Sequence, residues 1–163
     1  MLADAKKTIV LLQGNIRPEF FARIVGKNEK KKKYFVLEGR PDLKASRRTC
    51  RELLKRKIKP TLIADNMAGF LFFKNMVQEV CLAYQTFDKT GAVCEIGALI
   101  LAVLGKHHKV TVKFFPGERL KQFVAKDSTI FQFQKKRVAP LRSKGYVPLA
   151  EWVPQKYITE VVS

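Results

Sequence analysis

The residues of this 163-residue chain that could do chemistry are few and scattered. Cys50, Cys81 and Cys94 are odd in number and widely spaced, with neither a CxxC pair nor metal-finger spacing. They read as reduced thiols of a cytosolic protein. A helix N-terminus can depress a thiol pKa, and Cys94 stands where a helix is expected to begin. The carboxylate of Glu95 beside it opposes that effect, so Cys94 reads as small buried packing, as Cys81 does inside a strand pattern. His107 and His108 are adjacent, so on a helix they would point about 100° apart. No third ligand stands near them in the sequence. A metal site is not expected and no cofactor is implied.

Charge is the other chemical signal. There are 32 Lys and Arg against 14 Asp and Glu, a net +18 at pH 7. The excess gathers at 27–33, 47–59, 106–109 and 135–144. Such a charge attracts nucleic acid or another polyanion through counterion release, yet it is equally what solvated lysine-rich faces would show. No aromatic RNA-reading signature accompanies it. Nucleic-acid binding is therefore expected, if present, to be non-specific.

A repeated alternation of elements must position these residues. Apolar, β-branched runs at 8–12, 34–38, 61–64, 80–83 and 110–115 read as buried strands. Between them lie helical patterns. Pro18 can open a first turn ahead of Phe20, Phe21, Ile24 and Val25, closed by Gly26-Lys27-Asn28, with a solvated turn at 29–33. A basic helix is expected over 43–57. A short and largely buried one follows at 67–75, with Asp65-Asn66 as its natural N-caps. After a polar loop through Gly91, the clearest helix runs over 94–106, with Ile96, Leu99, Ile100, Val103 and Leu104 on one face. Beyond Glu118 the pattern is less regular, with a possible strand at 130–133 and an amphipathic stretch at 153–162.

Nearly all-apolar strands alternating with helices predict an α/β fold: a doubly wound, mainly parallel, Rossmann-like sheet of five or more strands with helices on both faces. One domain over 1–163 is expected. No apolar run approaches the ~20 residues of a membrane span, so a cytoplasmic protein without membrane partners is expected. Ligands of such sheets bind beyond the C-terminal strand ends. That places Gly14-Asn15, Glu38-Gly39-Arg40, Asp65-Asn66 and Tyr84-Gln85 along one edge. None of these turns carries a GxGxxG or P-loop pattern, which disfavours dinucleotide and P-loop readings.

In order and spacing, these turns resemble one family. The residues that carry the resemblance are Glu38-Gly39-Arg40-Pro41, Arg47, Thr61-Leu62-Ile63-Ala64-Asp65-Asn66-Met67-Ala68 and Ile96-Gly97, then Leu101 to His108. Arg137-Val138-Ala139-Pro140 and Val153-Pro154 leading into Tyr157-Ile158-Thr159-Glu160 extend it. The family comprises methylthioribose-1-phosphate isomerase, ribose-1,5-bisphosphate isomerase and the regulatory α, β and δ subunits of translation initiation factor 2B. The resemblance covers the C-terminal, Rossmann-like domain of such proteins; their helical N-terminal domain is expected to be absent.

The resemblance implies a chemistry and also departs from it. The isomerases move a carbonyl between adjacent sugar carbons, which needs an acid/base pair. In the family a cysteine of the N-terminal half and an aspartate at the end of the fourth strand serve. Here Gln85, or Tyr84 if the register slips by one, occupies the aspartate's place, and glutamine cannot take up a proton. The family's Asn-Lys before Ile-Gly is Cys94-Glu95, and its Gln-Gly after Arg-Pro is Lys44-Ala45. No catalytic residue is therefore assigned.

Arg40, Lys44, Arg47, Asp65, Asn66 and Gly97 remain candidates to hold an anion or a sugar hydroxyl. Asp65 could instead cap a helix, and Arg40 could pair with Glu38 or a helix terminus. The expected function is a non-catalytic member that binds a phosphorylated sugar or nucleotide or serves in assembly. The alternatives are an isomerase subunit completed by another chain and a basic nucleic-acid or ribosome-associated module. A homodimer is expected, formed through the 153–162 stretch or the sheet edge.

Overall fold

Short runs of Ile, Val and Leu become strands here because the central strands of a parallel sheet covered on both faces are buried on both sides. The structure, a computed structural model, describes residues 7–26 and 31–163. The strand β1 (Ile9–Gln13) is buried throughout. Its alternate side chains enter two cores, Ile9 and Leu11 on one face and Val10 and Leu12 on the other.

A 3-10 turn at Pro18–Phe20 leads into α1 (Phe21–Val25). The chain continues through β2 (Lys33–Leu37), α2 (Lys44–Lys55), β3 (Thr61–Ile63) and α3 (Ala68–Phe73). Then come β4 (Val77–Asp88), β5 (Gly91–Glu95), α4 (Ala98–His107) and β6 (Thr111–Pro116). The remainder holds the small hairpin β7 (Gln132–Phe133) and β8 (Lys136–Arg137), then β9 (Ala150–Pro154) and β10 (Glu160–Val161). The turn expected at 29–33 and the helix closure at 27–28 lie wholly or partly outside the described residues.

The main sheet runs β3-β2-β1-β4-β6-β10 with every neighbouring pair parallel. The four strands expected first are therefore parallel, and the α/β architecture is as expected. Helices α1 and α2 pack on one face through Phe21, Ile24 and Leu53. Helices α3 and α4 cover the other through Leu71, Phe72, Ala98 and Leu101. Full burial of each of the Phe, Ile and Leu side chains contributes roughly 1.5–3 kcal/mol. The chain leaves β1 toward β2 and β3 and returns on its other side as β4, so the topological switch point lies between β1 and β4.

Several expectations need correction. The 94–106 segment does not begin as helix: residues 91–95 pair antiparallel with the end of β4, and helix starts only at Ala98. The loop expected after residue 83 is strand as far as Asp88, because β4 outruns the parallel sheet and folds into this hairpin. The buried face of α4 is Ala98, Leu101, Ala102 and Gly105, whereas Ile100 and Val103 are exposed. Small residues face the sheet because the helix lies close to it; a Cβ on Gly105 would overlap Val112.

In α3 only Ala68, Leu71 and Phe72 are buried, leaving Met67, Phe70 and Phe73 in solvent, so this helix is not largely buried. The 153–162 stretch is not one helix but the end of β9, a 3-10 turn at Gln155–Tyr157 and β10. Val153 is fully buried where β9 pairs with β5, and Glu160 and Val161 add a parallel strand beside β6. The run at 61–64, expected as a buried strand, is exposed at Thr61 and Leu62, because β3 lies at the edge of the sheet.

Candidate functional site

At the switch point β1 ends in Gln13-Gly14-Asn15, and the residue type at 14 decides the geometry. Gly14 has φ +85°, and a Cβ there would lie 2.7 Å from the Ala83 Cβ and 3.3 Å from Glu95 Oε1. Glycine therefore lets β1 close onto the end of β4 and onto Glu95. The Asn15 backbone N–H donates to Glu95 Oε1 at 2.5 Å. Beside it, Gln13 Nε2 donates to the Ile96 carbonyl at 2.8 Å. Gln13 Oε1 and Asn15 Oδ1 are buried without a donor among the described residues. Burial pushes the Glu95 carboxyl up; the Asn15 N–H pulls it back, and Asp42 pushes it further up.

Above this floor lies a cleft of about 790 Å³. Lys44, Arg47, Arg48 and Arg51 of α2 form one wall, and Arg119 and Lys121 another, with Asp42 and Glu118 between them. The α2 wall follows from local sequence: Ala45, Ser46, Thr49 and Leu53 turn inward, so the basic residues fall on one outer stripe. A smaller cavity of about 250 Å³ shares Asn15, Arg48, Arg51 and Glu118 and extends to Lys55. Arginine pairs with phosphate through parallel charge-assisted hydrogen bonds, so the arrangement can hold an anion.

The structure brings Lys44 and Arg47 together and leaves the other expected ligands outside the cleft lining. Asp65 is not a helix cap: its two carboxylate oxygens accept the Gly39 and Arg40 backbone N–H groups at 2.8 and 2.9 Å. It fastens β3 to the turn after β2. Arg40 pairs with neither Glu38 nor a helix end; its guanidinium lies 4.1 Å from the centre of the Phe133 ring. Its Nη1 is buried without an acceptor among the described residues. Asn66 is exposed. Gly97 donates its N–H to Glu151 Oε1 at 2.7 Å, behind the floor.

Gln85 is fully engaged. Its Nε2 donates to the Glu118 carbonyl at 2.9 Å and its Oε1 accepts the Leu120 N–H at 2.8 Å. The Cys94 thiol is pushed well up, first by burial and then by Glu151 and Glu95, so it stays protonated. Sequence reasoning missed Arg48, Arg51, Arg119 and Lys121. The 3–4-residue spacing of Lys44, Arg47, Arg48, Arg51 and Lys55 was the available signal for the α2 wall.

Comparison with known proteins decides the family. The model of the initiation factor 2 subunit family matches residues 19–163. The chain belongs to that family. Among its curated relatives, a methylthioribose-1-phosphate isomerase of Caldicellulosiruptor saccharolyticus is 31% identical over 162 residues, covering 92% of this chain and 46% of its own length. One from Thermus thermophilus is 28% identical over 141 residues, covering 79% of this chain and 43% of the relative.

The fold matches solved structures of the initiation factor 2 subunit family as well. The translation initiation factor 2B subunit delta of A. fulgidus superposes with a TM-score of 0.80 at 24% identity, covering 96% of this chain and 52% of that one. A 5-methylthioribose 1-phosphate isomerase of Pyrococcus horikoshii gives 0.78 at 20% identity, covering 96% and 50%. The chain thus spans about half the length of the relatives it matches. Among the described residues no helix is long and apolar enough to cross a membrane.

Proposed function

We propose that this chain is a non-catalytic member of the initiation factor 2 subunit family that binds a phosphorylated small molecule in the switch-point cleft and assembles with copies of itself. The observation that carries the reading is Gln85. By resemblance it stands where the isomerases place their acid, yet both ends of its amide hold the 118–120 backbone. An amide neither gives up nor takes up a proton near neutral pH, so it cannot serve as the acid or base. Six cationic side chains around the cleft support a phosphorylated ligand.

Self-association draws support from the exposed apolar side chains of two adjacent helices. Phe73 on α3 is 73% exposed and Ile100 on α4 67%, with Met67, Phe70 and Val103 also in solvent. Several large apolar side chains exposed on neighbouring helices are the kind of surface that marks an interface when they join into a patch.

The test pairs turnover with binding. Incubated with methylthioribose 1-phosphate or ribose 1,5-bisphosphate, the purified protein should give no product above the enzyme-free rate. In equilibrium dialysis it should retain inorganic phosphate, less so after Arg47→Ala with Arg51→Ala. Turnover of either sugar phosphate sinks the non-catalytic reading. Phosphate retention indifferent to those arginines sinks the cleft as its site.

A further inference from the structure

The switch-point cleft is charged in two layers. Its outer layer is mainly cationic, supplied by Arg47, Arg48 and Arg51 of α2 and by Arg119, with the acids Asp42 and Glu118 among them and Asp42 paired with Lys44. Its floor presents acceptors. Glu95 uses one carboxylate oxygen for the Asn15 N–H. Asn15 Oδ1, in the cleft lining, is buried with no donor among the described residues.

The layers do not neutralise each other. Glu95 makes no ion pair among the described residues, and the charged side chain acting on its carboxyl is Asp42, another acid. None of the arginines of the rim is among the groups that shift it. A phosphate alone satisfies the rim, leaves the floor acceptors bare and meets a repelling carboxylate. A ligand with a donor-bearing cation at one end and phosphate at the other satisfies both.

We propose that the cleft takes a phosphorylated amine, its ammonium on Glu95 and Asn15 Oδ1 at the floor and its phosphate among the α2 arginines. This rests on the anion-binding reading above and names the ligand class for that site.

The experiment is titration calorimetry at about pH 7.5 with glucosamine 6-phosphate and glucose 6-phosphate, which differ by an amine for a hydroxyl, and with inorganic phosphate as a probe of the rim. The amino sugar phosphate should bind at least about tenfold tighter than its hydroxyl counterpart, the scale of one charge-assisted hydrogen bond. Glu95→Gln, which keeps an acceptor for Asn15, should remove most of that difference and bind inorganic phosphate at least as tightly.

Equal affinity for the two sugars, or a preference that survives Glu95→Gln, overturns the amine assignment while phosphate binding preserves the anion reading. Binding of inorganic phosphate without either sugar overturns it too. Failure of all three ligands to bind at millimolar concentration removes both readings.

Discussion

Gln85 and Glu118 stand 33 residues apart in the chain and are joined by a 2.9 Å hydrogen bond from Gln85 Nε2 to the Glu118 carbonyl. With the Leu120 N–H donating back to Oε1, one side chain fixes the loop that carries Arg119. Gln85→Ala leaves both backbone groups without this partner, at a cost of about 1–3 kcal/mol. Urea unfolding should show that loss, and phosphate affinity should fall with it because Arg119 is released. Unchanged stability would mean the loop is held by other contacts.

Glu95 makes stability depend on pH with a defined sign. Its folded pKa is raised, so the folded protein prefers the protonated form more than the unfolded chain does. The associated stability is fully present below the unfolded value of about 4.3 and is lost as pH rises through the folded pKa. Glu95→Gln, which keeps the acceptor and cannot ionise, should melt at higher temperature than the wild type near neutral pH. The gap should close toward pH 4. A gap that widens on acidification would reverse the assigned sign.

Asp65 anchors a turn. Removing its carboxylate strands two backbone N–H groups, and hydrogen bonds to a charged group contribute about 1.5–3 kcal/mol each. Asp65→Ala should therefore lower unfolding stability by about 2–4 kcal/mol, less than the full sum because Asp65 is only half-buried and the turn can admit water. Asp65→Asn, with one good acceptor, should fall between. Phosphate affinity of the folded variants should match the wild type, since Asp65 stands outside the cleft lining. A specific loss of binding without a loss of stability would return Asp65 to the ligand.

Phe73 tests the assembly. If α3 and α4 cover each other's copies, Phe73→Asp should reduce the mass seen by light scattering to the 18.7 kDa of one chain. Its melting temperature should stay near that of dilute wild type, because the side chain is exposed within the protomer. A wild type already at 18.7 kDa at micromolar concentration removes the dimer.

Much of this was legible in the residues themselves. The strand at 9–13 is a nearly continuous apolar run, the mark of a doubly covered central strand, and those at 33–37 and 111–116 keep enough of it to be read; the short edge strand at 61–63 was legible from its β-branched run although it is exposed. The hairpin of β4 and β5 was not, because Cys94, Ala98, Leu101 and Ala102 share a helical spacing that runs smoothly across the true boundary at Gly97. At the other end of the chain, Val153 to Val162 keeps helical periodicity yet pairs with β5 and β6; tertiary pairing overrode the local pattern. The departure at Gln85 was visible, but its two hydrogen bonds were not, since their partners come from a distant loop. Arg48 and Arg51 look like any solvated helix face until α2 is set against the end of β1.

The φ of +85° at Gly14 and the nearness of Ala83 exclude a side chain there for two independent reasons. The bottom of the cleft is thus set where the main chain at Gly14 closes against Ala83 and Glu95, whereas its walls are long side chains on α2 and on 118–121. Substitution can redraw the walls one residue at a time with little effect on folding, but position 14 admits only glycine. Lineages sharing this backbone can therefore diverge in what they hold at the rim while keeping the same seat beneath it.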